Sequence, residues 1–317
     1  VSFRDLGGHL SCVVGIGPQA WDALNPDARP AELHPFPVLS GARHTAVSTP
    51  GDLLFHIRAE REDLCFEFER LLLDSLGDAV TVVDEVRGFR YFDTRDLLGF
   101  VDGTANPVGD DVLTSAVIDG DDDPVFAGGS FVVVQKYLHD VAAWNTLTTE
   151  QQEAIIGRSK LDNVERDSDA EPYPSHKSLA TITDETGREF DILRDNMPFG
   201  RPGQGEFGTY FIGYAARLWV VERMLERMFV GDEQGRYDKI LDFSTAVTGT
   251  TFFVPPLEML ESLGEIDDSG EADDEATSVD ITPSSTGTPT TTTGSDGSLG
   301  LGSLRRPTPA SSSERTS

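Results

Sequence analysis

Apolar residues recur along this chain with two different periods, and the switches between them predict its elements. Residues 10 to 17 (LSCVVGIG) and 52 to 59 (DLLFHIRA) are short runs rich in branched and aromatic side chains and predict strands, with a short helical stretch about Trp21 between them. A helix is expected next. Leu64, Phe68, Leu71, Leu72 and Leu76 fall at i, i+4, i+7, i+8 and i+12, one stripe of an amphipathic helix. VTVVDEV, 80 to 86, reads as a strand again. From Gly129 the same kind of pattern returns: SFVVVQKYL as a strand, short helices at 141 to 147 and 150 to 156, and GTYFIGYA, 208 to 215, as a further strand. Val221, Met224, Leu225 and Met228 then mark a helix, and TGTTFFVPP, 248 to 256, closes the block as a strand. Two similar blocks, residues 1 to 119 and 120 to 260, predict a duplicated α+β unit with largely antiparallel sheets.

Beyond Leu260 the periodicity stops. Residues 261 to 297 pass from an acidic run into a Thr-rich tract with almost no large apolar side chain, the composition of a disordered linker. An island of small apolar residues and glycine, SLGLGSLRR at 298 to 306, opens the final segment 298 to 317 and reads either as a docking peptide or as low-complexity sequence.

Charge narrows the partners. The 25 Lys and Arg against 55 Asp and Glu give a formal charge of −30; the tail from 261 holds 11 acidic and 3 basic residues, hence −8, which leaves −22 on residues 1 to 260. Such a surface repels phosphate backbones and anionic lipid, so nucleic acid and membrane are excluded as partners. Two cysteines, Cys12 and Cys65, are too few for a disulfide framework, and both lie in apolar stretches that read as core, which fits a reducing cytoplasm. No apolar run reaches the roughly 18 residues of a membrane helix, and no charged-then-apolar leader opens the chain. Its first residue is Val1, directly in a strand approach, so further residues are expected upstream.

Three segments hold candidate chemistry. GFVDGTANP, 99 to 107, brackets Asp102 with two glycines just before a turn-forming Asn-Pro, where backbone can approach a ligand closely, although Asp-Gly is also common in ordinary turns. It lacks the lysine and glycine spacing of a phosphate loop. Of six histidines none pairs with another at a zinc-site spacing; His56 and His139 sit in apolar contexts that suit a hydrogen-bonded structural ring, whereas His176 follows EPYPS in an expected loop. ILRDNMPFG, 192 to 200, puts Arg194 and Asn196 two apart, on one face of a strand with apolar flanks. A buried guanidinium there needs an anionic partner.

Taken in order, GFVDGTANP, PSHKSL and ILRDNMPFG resemble the dye-decolourising peroxidase family, in its shorter bacterial branch, with matching separations of 176 − 102 = 74 and 194 − 176 = 18 residues. TPGDLLFHIRA, DEVRGFRYFDTRDLLGF, FAGGSFVVVQKYLHD and LDFSTAVTGTTFFVPP extend the resemblance over roughly residues 2 to 256. It implies paired ferredoxin-like α+β halves and a haem b held mainly by the second. His176 is then the axial ligand of the haem iron, Asp102 the distal acid and base, Arg194 the group that stabilises charge and contacts the cofactor, and Asn196 a residue that positions water and peroxide. The implied reaction is one-electron oxidation of dyes and phenolics by hydrogen peroxide through a ferryl intermediate, in a homo-oligomer. By the same likeness Asp238 or Asp242 would hold the other imidazole nitrogen.

Two departures from the family pattern stand out. A strand and helix expected ahead of Val1 are not in the sequence, so the N-terminal sheet is expected to present a bare edge. SHKSLA stands where a more apolar run is expected after the histidine, putting Lys177 near the cofactor. DGSLGLGSLRR resembles the C-terminal cargo peptides that load such peroxidases into encapsulin shells, which implies a cytoplasmic nanocompartment. Two other functions fit the scaffold: release of iron from haem, which would leave free porphyrin without peroxide, and a haem or porphyrin carrier, which would not turn over a dye.

Overall fold

In the computed structural model, which describes residues 7–166, 172–232 and 234–263, the longest strands are those with the densest apolar sequence. The elements run β1 (Ser11–Ile16), α1 (Pro18–Leu24), β2 (Leu39–Ser40), β3 (Thr45–Ala46), β4 (Leu53–Arg58), α2 (Glu62–Leu76), α3 (Asp111–Ala116), β5 (Ser130–His139), α4 (Val141–Trp144) and α5 (Thr149–Ile156). They continue as α6 (His176–Ala180), β6 (Ile182–Thr183), β7 (Glu189–Phe190), β8 (Leu193–Arg194), β9 (Met197–Arg201), β10 (Glu206–Ala215), α7 (Leu218–Phe229), β11 (Ser244–Ala246), β12 (Thr250–Val254) and α8 (Leu257–Ser262).

One antiparallel sheet takes the order β4-β1-β12-β5-β10-β8, with β9 extending along β10 and β11 along β5. The α+β class with antiparallel pairing is as expected. Strands from both sequence blocks share the ladder: β1 lies between β4 and β12, joined to β12 at Ile16 and Phe253. At the other side of that pair, β4 ends the path among the described strands.

Alternation along β5 decides what each face buries. Phe131 and Val133 point into the main core with Trp21, Phe253 and the buried side of α7, while Val132 and Val134 point to a second cluster with Ile212, Tyr214 and Phe252. In α7 the stripe read from Val221, Met224, Leu225 and Met228 is buried throughout, as a helix lying on a sheet requires. A smaller cluster of Leu98, Phe100, Trp144 and Ile156 packs beneath the segment that carries Asp102.

Three expectations are corrected. Residues 80 to 86 form no strand: they bury no face, being exposed from 81 to 85, and pair with no described strand; Phe89 beyond them is tied to the Pro198 carbonyl at 2.9 Å. The α2 stripe buries only Leu64, because the helix faces little more than the edge strand β4. Cys12 and Cys65 are half-buried free thiols rather than core residues. Trp219 is 38% exposed and packs edge-on to Phe190, in contrast to fully buried Trp144. No described helix is long and apolar enough to cross a membrane. The first two residues of the expected linker, 261 and 262, belong to α8, and its remainder from 264, with the 298 to 306 island, lies outside the described residues.

Candidate active site

Asp102, His176, Arg194 and Asn196 line a single cleft between α7, β10 and the segment 96–102, with about 990 Å³ free of atoms when its open mouth is included. His176 does not sit in a loop, as expected, but opens α6. Ser175 caps that helix, its Oγ accepting from the Ser178 N–H at 3.3 Å. Gly157, at φ +92°, is what lets Ser175 come so close: a Cβ there would lie 2.5 Å from the Ser175 Oγ. From α7, Arg227 donates to the carbonyls of Ser178, at 3.1 Å, and Thr181, so the short helix is held at both ends.

The imidazole Nδ1 donates to Asp238 Oδ2 at 2.7 Å. Asp238 is fully buried, and its other oxygen accepts from the Ile240 N–H at 3.0 Å. Asp242 is engaged elsewhere, accepting from His44 at 2.8 Å and the Tyr237 hydroxyl at 3.0 Å, so the choice between the two carboxylates falls to Asp238. Burial opposes a charged His176 ring, but the Asp238 charge and hydrogen bond outweigh it and the net pKa is raised. With Nδ1 occupied, Nε2 is the nitrogen left for the cleft.

On the facing wall the chain folds back on itself, Arg95 bridging Val101 and the Asp102 N–H donating to the Thr94 carbonyl at 2.9 Å. Positive φ at Gly99 (+94°) and Gly103 (+78°) allows the two reversals that bracket Asp102. The Asp102 Oδ1 accepts from the Gly103 N–H at 2.7 Å and from Asn196 Nδ2 at 3.3 Å. Burial still pushes the carboxyl above the usual range, more than the Gly103 N–H, Asn196 and the Arg194 charge pull it down.

Arg194 and Asn196 line one wall as expected, though not from one strand: the ladder breaks between β8 and β9, and Asn196 is held by its Oδ1 accepting the Ile212 N–H at 3.3 Å. Arg194 Nη2 touches Met224 Sδ at 3.5 Å, while Nη1 is buried with no hydrogen-bond partner. A guanidinium nitrogen in that state is costly unless a ligand completes it.

Comparison with known proteins shows the family. Residues 1–90 match the family described as Dyp-type peroxidase, N-terminal, and residues 93–259 the one described as Dyp-type peroxidase, C-terminal. The chain belongs to the Dyp-type peroxidase family. A dye-decolorizing peroxidase of Rhodococcus erythropolis is 53% identical over 306 residues, 96% of this chain and 85% of that protein. A DypB variant from Rhodococcus jostii, solved in complex with heme, is 63% identical with a TM-score of 0.81 over 83% of this chain and 84% of that one. The encapsulated DyP-type peroxidase from Mycobacterium smegmatis is 56% identical with a TM-score of 0.79, covering 82% and 84%.

Sequence reading of this Dyp-type peroxidase missed two residues of the site. Asn106, read only as part of a turn, clamps Arg194 twice: its Oδ1 accepts the Arg194 N–H at 2.9 Å and its Nδ2 donates to the Arg194 carbonyl at 2.7 Å. The Asn-Pro pair in GFVDGTANP was the only signal, and nothing in it pointed 88 residues ahead. Asp96 also lines the cleft. His56 and His139 are hydrogen-bonded as expected, His56 to the Tyr214 hydroxyl at 2.7 Å and His139 to Ser244 and Thr209 at 2.8 and 2.9 Å, but His139 also reaches the cleft. Lys177 turns away from the cleft to Glu165 at 2.6 Å.

Proposed function

We propose that this Dyp-type peroxidase binds haem b in the cleft, where His176 Nε2 would hold the iron and Asp102, Arg194 and Asn196 would meet the peroxide. The observation that carries the reading is the pairing of an imidazole anchored through Nδ1 with a buried, unpartnered Arg194 Nη1 across one cleft. These residues fit the group. A neutral nitrogen ligand backed by a carboxylate suits haem iron, apolar side chains such as Leu225 and Ile192 suit a macrocycle, and an orphan guanidinium suits an anion. Bound there, haem supplies the redox chemistry that couples peroxide reduction to one-electron oxidation of organic donors.

The chain's own part is proton and charge handling. Asp102, as carboxylate, takes the proton from the peroxide oxygen that loses it and returns it to the oxygen that leaves as water. Arg194 offers Nη1–H to the negative charge that builds as the O–O bond lengthens, and needs no reorganisation to do so, since Asn106 already fixes its backbone. Asn196 orients Asp102 by donating to its Oδ1. A pure carrier has no use for this acid and donor pair. The deciding experiment is the visible spectrum of the haem-loaded protein and of His176→Ala, before and after one equivalent of hydrogen peroxide, together with dye turnover. A Soret band that responds to peroxide in the parent and is lost or disordered in the variant supports the reading; folded protein that takes up no haem, or takes it up without turning over dye, overturns it.

We propose in addition that residues 298 to 306 dock the enzyme inside an encapsulin shell in the cytoplasm, tethered through residues 261 to 297. Support comes from the SLGLGSLRR sequence and from the Mycobacterium smegmatis neighbour, which is described as encapsulated. Co-expression with an encapsulin should give peroxidase that co-elutes with the shell, and deletion of 298 to 306 should leave it free. Equal co-elution without the segment would refute the docking role.

A further inference from the structure

Reduction of one peroxide to two waters consumes two protons as well as two electrons. Asp102 alone can move a proton from one peroxide oxygen to the other, but the two consumed protons have to be brought into a cleft whose carboxyl is buried. The search for their route leads to Asp96, a residue the peroxidase reading leaves without a task.

Asp96 sits on the same fold-back as Asp102. Pairing of Arg95 with Val101 sets Thr94 opposite Asp102 and Asp96 opposite Phe100, and the alternation of a paired chain places Asp96 and Asp102 on one side. Diagonal neighbours in such a pair lie about 7–8 Å apart along the backbone, close enough for their side chains to interact. Both residues line the cleft. One Asp96 oxygen, Oδ1, closes the turn by accepting the Phe100 N–H at 2.9 Å. Behind the turn lies Lys160, whose Cε would be 2.6 Å from a Cβ at Gly99 and whose ammonium donates to Gln152 at 2.6 Å and rests over the Phe100 ring.

We infer that Asp96 is a second proton-holding carboxyl of the cleft, passing protons through one water molecule to Asp102 and recovering them from the Lys160 side of the turn. The inference rests on the peroxidase reading. In the transfer the Asp96 O–H bond breaks, the water accepts that proton and gives another to the Asp102 carboxylate, and Asp96 is left as carboxylate until Lys160 or solvent reprotonates it; no electron moves. Burial pushes the Asp96 carboxyl up to about 6, with the neighbouring Asp102 charge adding to the effect, so the group exchanges protons in the range where a carboxyl relay is useful. Burial lowers the Lys160 pKa, which eases its release of a proton.

The charged and titratable groups around Asp96 are few. Arg95 points its guanidinium the other way, to the carbonyls of Gly99, Lys160 and Leu161. Glu153 is taken by the Lys160 N–H and by Arg166. Across the cleft stand His139, His176 and Arg194, and alongside is Asp102.

Asp96→Asn separates the relay from the turn, because an amide oxygen still accepts the Phe100 N–H while the exchangeable carboxyl proton is gone. The first measurement is a carboxyl ¹³C NMR titration of the full chain without haem, which does not depend on peroxidase activity. The parent is expected to show Asp96 and Asp102 titrating in two coupled steps, and the variant a single Asp102 step moved to lower pH. The second is the pH profile of dye oxidation by the haem-loaded enzyme, with the variant expected to lose about tenfold at pH 5, less than removal of a direct acid–base group, and to show a larger solvent deuterium effect. Independent titration of the two carboxyls in the parent, which needs no variant, or an unchanged profile and isotope effect in Asp96→Asn, overturns the relay. If instead the parent shows coupled titration but no peroxide turnover, it is the peroxidase reading that fails.

Discussion

His176 and Arg194 face each other across one cleft, yet their hydrogen bonding has opposite character. The histidine is fully tied: its ring by Asp238, its helix by Ser175 and Arg227, its approach by Gly157. The arginine is tied in its backbone, through Asn106, and touches Met224 Sδ through Nη2, but its Nη1 has no partner among the described residues and stands near Asp102, whose proton affinity burial has raised. One wall is fixed in place before a ligand arrives, whereas the other carries a buried donor that is satisfied only when one does. Such an asymmetry suits a site in which one side must stay fixed while the other meets successive small molecules and changing charge.

The contrast can be broken most severely at His176, where alanine removes the ring nitrogen proposed to hold the iron and should abolish the ordered Soret spectrum and dye turnover together. Arg194→Leu comes next. Loss of one preorganised donor costs about 10²–10³-fold in turnover, and stopped-flow mixing with peroxide should show Asp102→Asn losing less; equal or reversed losses would place proton transfer ahead of charge stabilisation. Asp238→Asn keeps the shape but weakens the hold on the imidazole, with an expected fall of about 10–100-fold in haem affinity, read by haem transfer to a competing apoprotein. Unchanged affinity would mean that α6 alone orients the ring. Asn106→Ala should destabilise the protein by about 1–3 kcal/mol in urea unfolding, since it leaves the Arg194 N–H and carbonyl unpaired.

The smallest expected effect is one of pH. Burial raises Asp96 to about 6, so the folded protein holds a proton that the unfolded chain has already released. That contribution to stability is complete below the ordinary carboxylate value and is lost as pH rises through about 6, so the thermal midpoint should fall between roughly pH 4 and pH 6. Asp96→Asn should flatten the fall, and a parent curve without it would contradict the raised value. Asp102 adds in the same direction, and turnover that needs its carboxylate rises as pH passes through its own raised pKa.

What the sequence disclosed and what it hid follow from the range of the interactions involved. β5, β10 and α7 were legible because each answers to a period set by its own residues. VTVVDEV carries the same local signal as β1 and yet forms no strand, since a strand exists only where it pairs with another and buries a face, and residues 81 to 85 are exposed. His176 reads as a loop residue because α6 is a five-residue helix held by a cap and by Arg227 from a distant element, with little periodicity of its own. The resemblance supplied Asp102, His176 and Arg194 as positions, but neither the choice of Asp238 over Asp242 nor the double clamp of Asn106 on Arg194 is written in local pattern; both need the chain folded across 62 and 88 residues.

The place of β1 in the sheet carries a kinetic consequence. Its second neighbour, β12, is among the last strands to be synthesised, and at about 5–20 residues per second the ribosome takes ten seconds or more to reach it after β1 has emerged. Throughout that interval Ile16 lacks the Phe253 partner it has in the finished ladder, and so much separation between paired strands slows closure further. A nascent chain of this protein is therefore expected to depend on holdase chaperones until residues 250–254 are released, with aggregation during synthesis, rather than instability of the finished fold, as its main hazard.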